Sequence, residues 1–159
     1  MGSRSKINLA YIAGFLDGDG SLMIQVKKRK DGRLKRRFML TLCFYQDSRH
    51  EKPLYWIRNV LKIGYISKRN DGISELRING FAQIKEILEN LLPFVKFKKI
   101  QARAIYKAAC ILRNKKIDRL SKSDLSKLIG YMLLVQNNNY ITKKKKTKSE
   151  LMKILDLTP

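Results

Sequence analysis

The alternation that begins at Ser21 constrains this chain more than any other feature. Leu22, Ile24 and Val26 alternate with Met23, Gln25, Lys27 and Arg29. Beyond Asp31-Gly32, Phe38, Leu40, Leu42 and Phe44 alternate with Arg37, Met39, Thr41, Cys43 and Tyr45. Successive side chains of a strand point to opposite faces, so a period of two sorts these residues onto one apolar face and one largely basic face. Asp-Gly between two such runs is a turn signal, and the whole predicts a long hairpin. A shorter copy follows, with Ile66, Leu76 and Ile78 beneath and Ser67, Arg69, Glu75 and Arg77 above, joined near Asn70-Asp71-Gly72.

The other segments have a helical period. Leu54, Ile57, Val60 and Leu61 make one stripe; Ile84, Ile87, Leu88, Leu91 and Leu92 make another that stops at Pro93. Ile105, Ala109 and Leu112, then Leu125, Leu128, Ile129, Met132 and Leu133, supply two more. A helix precedes the first hairpin, so the order is helix, hairpin, helix, hairpin, helices. That order predicts an α+β fold in which helices cover one face of an antiparallel sheet. With no low-complexity tract or Pro/Ser-rich linker, residues 1–159 read as one domain.

The leading helix, Leu9 to Asp17, is apolar nearly all round and carries Ala10, Gly14 and Gly18 on one face. Glycine in a helix interior costs about 1 kcal/mol relative to alanine. Close approach of a second backbone offsets that cost, and the stripe occurs once, so the expected partner is the same helix of a second copy about a two-fold axis. The alternative is that the stripe packs against its own chain.

Charge identifies the partner. Lys and Arg number 35 against 13 Asp and Glu, a formal net charge of +22, which attracts a polyanion. The apolar runs are too short and too often broken by Lys, Arg or Asn to span a bilayer, and Met1–Lys6 has no apolar stretch of the signal-peptide kind. The expectation is a soluble intracellular protein, in cytoplasm, nucleoid or organelle matrix, that binds nucleic acid rather than membrane. Cys43 and Cys110 are far apart and His50 is the only histidine, which excludes a zinc finger, a disulfide scaffold and a paired-histidine nuclease. Any hydrolysis must rest on carboxylates and a hard metal.

A two-stranded ribbon fits the major groove of DNA and presents every second side chain to base edges. Lys27, Arg29, Arg37, Arg69 and Arg77 can donate to guanine or phosphate, Gln25 can read adenine, and Glu75 can accept from cytosine. An alternating charged face is also what a solvated sheet surface looks like; the surplus of +22 favours the groove. Where the first helix meets the first hairpin stands Asp17-Gly18-Asp19-Gly20. Carboxylates on so basic a chain are repelled by phosphate unless a cation lies between, and Mg²⁺ takes oxygen ligands of this kind with phosphate and water completing its shell. By itself Asp-Gly-Asp-Gly is equally a turn.

The stretch Ile12-Ala13-Gly14-Phe15-Leu16-Asp17-Gly18-Asp19-Gly20 resembles the signature of the LAGLIDADG homing endonucleases, and its single occurrence resembles their homodimeric branch. The resemblance continues through Phe44-Tyr45-Gln46, through residues 93–102 and through residues 146–150. It implies a concave sheet saddle of αββαββα type and two protomers packed through the motif helix, with Ala10, Ala13, Gly14 and Asp17 at the interface. It implies that Asp19 and the Gly18 carbonyl ligate Mg²⁺, for which Mn²⁺ or Ca²⁺ can substitute in binding, with Gln46 and Lys98 as catalytic partners and Asp17 the less critical acid. It implies base contacts from Gln25, Lys27, Arg29, Arg37, Met39, Thr41, Cys43, Ser67, Arg69, Glu75 and Arg77, and phosphate contacts from Lys143, Lys144 and Lys146, with Arg49 and His50 against the backbone. Met39 and Cys43 are poor donors suited to thymine methyl groups. The implied activity is metal-dependent double-strand cleavage at a long, pseudo-palindromic DNA site, leaving 3′ overhangs that start intron homing. An intron RNA maturase and a non-catalytic DNA-binding regulator are the alternatives on this fold.

Overall fold

The computed structural model describes residues 5–140 and 143–157, so residues 1–4 of the amino-terminal stretch lie outside it. The elements run α1 (Lys6–Asp19), β1 (Gly20–Lys28), β2 (Arg36–Asp47), α2 (Lys52–Leu61), β3 (Tyr65–Lys68), β4 (Ile73–Asn79), α3 (Phe81–Leu91), α4 (Lys99–Asn114), α5 (Lys122–Asn138) and α6 (Lys148–Ile154). Both expected hairpins form, and all pairings are antiparallel. The sheet order is β1-β2-β4-β3, so the two hairpins join side by side through β2 and β4.

The period of two does the sorting it predicted. Leu22, Ile24, Phe38, Leu40, Leu42, Phe44, Leu76 and Ile78 are buried against the helices. The helical stripes meet them in one core, with Leu9, Ile12, Leu16, Leu54, Ile57, Ile84, Leu88, Ile105, Leu128 and Ile129 all buried. Burying a side chain of this size contributes roughly 1.5–3 kcal/mol, so the apolar face is what holds the sheet to its helix layer. Among the described residues no helix is long and apolar enough to cross a membrane.

The hairpin connections differ in length. Gly72, with φ of 80°, closes the short loop after β3, where the Arg69 amide donates to the Ile73 carbonyl at 2.8 Å. Asp31-Gly32 lies inside a longer loop, residues 29–35, closed by the Arg29 amide on the Lys35 carbonyl at 2.9 Å. A two-residue turn is not what joins β1 to β2.

Candidate nucleic-acid interface and acidic helix tip

α1 passes straight into β1, and Gly20 makes that possible. A Cβ there would stand 2.8 Å from the Leu16 backbone, a distance no side chain tolerates. The chain therefore turns within one residue, leaving the Gly18 and Asp19 tip at the end of the sheet.

The two acids of the tip face different ways. Asp17 turns inward: its Oδ2 accepts from the Lys96 amide at 2.7 Å and its Oδ1 from the Lys98 amide at 2.9 Å. Lys98 returns the contact, its Nζ donating to the carbonyls of Leu16 and Asp17, both at 2.8 Å, and to that of Gly18 at 3.4 Å. An ammonium on the last carbonyls of a helix satisfies acceptors that have no partner within the helix and sits at the negative end of its dipole. Burial lowers the Lys98 pKa from its ordinary value, and the nearby Asp17 and Asp19 charges oppose that shift. Asp19, one turn end further, is left exposed. Gln46, two residues past the Phe44 partner of Gly20, is the second-last residue of β2; its Oε1 accepts from the Asp47 amide at 2.9 Å.

Ala10, Gly14 and Gly18 are exposed, and a Cβ added at Gly14 or Gly18 would meet nothing within 4 Å. The stripe does not pack on its own chain. Ala13 departs from the expectation: it is 0% exposed, because it faces the sheet and is part of the core. The Asp17 carboxylate is half-buried and engaged with residues 96–98 of its own chain.

Gln25, Lys27, Arg37, Met39, Ser67 and Arg77 share the open face, and register places Ser21, Met23, Tyr45, Tyr65 and Asn79 there too. Sequence reasoning passed over these five as contacts, although each continues an alternation already recognised. Ser21 and Tyr45 join their hydroxyls at 2.9 Å. Three expected readers need correction. Thr41 and Cys43 are 1% and 0% exposed, since β2 is a central strand and the flanking side chains of β1 and β4 close over their short ones. Glu75 is buried as well, its Oε1 accepting from Arg77 Nε at 3.0 Å and from the Ser67 hydroxyl at 3.5 Å. Burial pushes the Cys43 thiol up, away from the thiolate form.

The remaining arginines of the face are held by carboxylates two residues away. Arg29 meets Asp31 at 2.5 and 2.9 Å, and Arg69 meets Asp71 at 2.7 Å, both pairs exposed. Arg49 meets Asp47 at 2.8 Å and holds its carboxyl well below the usual carboxylate range, while His50 beside it is exposed. Lys143–Lys146 follow α5; the Lys146 amide and carbonyl are both bonded to the Gln136 side chain, and Lys144 and Lys146 share a cleft of about 260 Å³ with Gln25 and Lys27.

A basic ribbon face with an exposed acid on a helix tip at one end defines a DNA-endonuclease class of architecture, and comparison with known proteins agrees. Over residues 12–118 the chain matches the family described as LAGLIDADG endonuclease, and it belongs to that family. DNA endonuclease I-CvuI of Chlorella vulgaris is 32% identical over 143 residues, 90% of this chain and 84% of that protein. DNA endonuclease I-CreI of Chlamydomonas reinhardtii is 30% identical over 103 residues, 65% of this chain and 63% of that one. The crystal structure of I-CvuI in complex with the I-CreI target superposes with a TM-score of 0.77 at 28% identity, covering 95% of this chain and 94% of the other. The archaeal intron-encoded endonuclease I-Vdi141I, complexed with DNA, has the same fold, with a TM-score of 0.80 at 20% identity over 94% and 95% of the two chains.

Proposed function

We propose that this protein cuts double-stranded DNA at a long, nearly palindromic site as a homodimer, leaving 3′ overhangs and so initiating intron homing. The observation that carries the reading is the division of labour between two neighbouring acids: Asp17 is latched into its own chain, and Asp19 is presented outward on a chain of net charge +22. The Chlorella and Chlamydomonas relatives are both named DNA endonucleases.

The donor set suits a hard divalent cation. Among the described residues no three His, Cys, Asp or Glu side chains converge, so one protomer offers Asp19 and the Gly18 carbonyl rather than a full cage. Mg²⁺ is commonly held by one or two carboxylates with phosphate and water; two such tips would supply the carboxylates, and the DNA the phosphate. The I-CvuI complexes were obtained in the presence of Mg in one case and Ca in another. A bound cation supplies Lewis-acid polarisation of the scissile phosphate and neutralises the charge that builds as the bond breaks.

The chain's own residues do the rest. Paired through Ala10, Gly14 and Gly18, two α1 helices would set their Asp19 carboxylates across the two-fold axis, one for each strand. Lys98, anchored on the carbonyls of α1, keeps an ammonium beside the tip, where it stabilises negative charge on phosphate. Gln46 is the polar group at the end of β2 that orders water. Gln25, Lys27, Arg29, Arg37, Met39, Ser67, Arg69 and Arg77 read or grip each half-site, and Lys143, Lys144 and Lys146 hold phosphates beside β1.

The test is selection of cleaved ends from a duplex library of random sequence. The parent should return one palindrome-like site in Mg²⁺. Asp19→Asn should bind that site in Ca²⁺ yet cut at least about 10³-fold more slowly, the loss expected when several kcal/mol of charge stabilisation go. Unchanged cutting by Asp19→Asn overturns the assignment of the metal ligand. Binding without cutting by the parent would make the protein a regulator, and preference for structured intron RNA would make it a maturase.

A further inference from the structure

At the end of the sheet remote from Asp19, the loop 29–35 comes against the segment that joins α4 to α5: a Cβ on Gly32 would stand 3.4 Å from Asp118 Oδ2. Beside this contact opens a cleft of about 1030 Å³. Its lining joins Arg29 and Arg37 of the β1–β2 hairpin to Arg113, Lys115, Lys116 and Arg119 of the α4–α5 connection, where Lys115 is bonded to Asp124 at 2.8 Å. Only two carboxylates, Asp31 and Asp118, share the lining, and Asp31 is already paired with Arg29. Arg113, Lys116 and Arg119 are exposed.

Arg29 and Arg37 already belong to the proposed DNA face, but Arg113, Lys115, Lys116 and Arg119 have no role assigned so far. Arg113, Lys116 and Arg119 are exposed rather than buried in a pocket, and among the described residues no buried polar side-chain atom is left unpaired. A compact anion wants convergent donors in a desolvated pocket; a row of exposed cations suits a repeating polyanion. Position selects which one. β1 runs from the tip to Lys28, and at about 3.3 Å per residue its length carries the cleft roughly 30 Å from Asp19. At about 3.4 Å per base step along each strand, that is some nine base pairs outward from the cut.

We propose that the α4–α5 side of the cleft, Arg113, Lys116 and Arg119, is an outer clamp for the sugar-phosphate backbone of duplex DNA, gripping phosphates beyond the base pairs that Arg29 and Arg37 meet and without regard to base sequence. The inference rests on the reading of the sheet face as a DNA surface. It adds that part of the affinity comes from flanking duplex.

The double variant Lys116→Ala/Arg119→Ala tests it, with Arg58→Ala/Lys107→Ala as a control that removes the same charge from exposed positions outside the cleft. Binding of each to a random-sequence duplex of about 40 base pairs is titrated in Ca²⁺ against salt, and the melting midpoint checks folding. Loss of two phosphate contacts should make the slope of log affinity against log salt shallower by about 1.8 per protomer engaged, while the control keeps the parent slope. Equal slopes for parent and cleft variant overturn the clamp, as does an equal change in both variants, which would reflect overall charge. On the cleaved site, flanks of about ten base pairs on each side should tighten parent binding by about tenfold or more and leave the cleft variant unchanged. The cleft variant should still cut the short duplex, whereas a parent that cuts neither duplex defeats the endonuclease reading and leaves the salt comparison to decide the clamp.

Discussion

The α1 tip and the ribbon face both pair acids with cations, but they do so in opposite ways. At the tip, the Asp17 carboxylate takes two backbone amides and Lys98 takes two backbone carbonyls, so neither depends on a mobile partner side chain. On the ribbon, Arg29 and Arg69 are held by exposed carboxylates only two residues off, a kind of pair that solvent screens and that water or a phosphate can replace. The difference separates a rigid part that must hold one geometry from an adaptable part that exchanges partners on binding. Damage at the tip should cost rate or assembly, and damage on the ribbon should cost discrimination.

The largest effect expected from that contrast is at the exposed stripe. Gly14→Leu adds bulk where the single chain has open space, so the chain should still fold, with a melting midpoint that no longer depends on protein concentration. Sedimentation should show monomer, and double-strand cutting should fall at least about 10²-fold because the two tips no longer meet. A dimeric, active Gly14→Leu would break the comparison at its rigid end.

Next is the latch. Asp17→Asn keeps an acceptor oxygen but loses the charge that two amides share, and unfolding in urea should show a loss of about 1–2 kcal/mol. Cutting should drop alongside, through displacement of Lys98, with site preference unchanged. A variant as stable as the parent would mean that Asp17 is not a structural acid.

On the ribbon, Arg77→Ala should cost about 1–3 kcal/mol at one base position, read from binding to a panel of single-base variants of the site. Arg29→Ala, whose ion pair is more exposed, should cost less. A loss spread evenly over all sequences would make either residue a phosphate contact.

The smallest effect is with pH. The Ser74 hydroxyl, and then Lys68, hold the Glu51 carboxyl below its ordinary value of 4.5, against an opposing shift from burial. A carboxyl lowered in the folded state contributes its full stability above the unfolded value, and that contribution is lost as pH falls through the folded value. The urea midpoint should therefore fall below about pH 4.5, and Glu51→Gln should flatten that fall. An identical profile for the variant would assign the acid sensitivity elsewhere, with Asp47 the next carboxyl to examine.

Much of the architecture was legible because it is periodic. A period of two from Leu22 to Phe44 and helical stripes through Leu54, Ile84, Ile105 and Leu125 sort side chains by geometry that belongs to the backbone itself, so the buried face could be named in advance. The same alternation misjudged Thr41 and Cys43, because it tells which face a residue is on and not how tall its neighbours are. Ala13 was misjudged for a related reason: one step around a helix separates a core residue from an exposed stripe, and only the packing of α1 on the sheet decides the boundary.

What the order of residues determined alone was the local pattern: the hairpins, the helices, the charge of +22, and an acidic pair where helix becomes strand. Tertiary structure decided the rest. It set β2 beside β4, folded residues 96–98 back onto Asp17 across 79 positions or more of chain, and closed the cleft between residues 29–35 and the α4–α5 connection. Local preferences follow from backbone geometry that near neighbours share. Contacts between distant segments form only when burial of a common core brings them together, and a linear pattern does not encode that meeting in any one place.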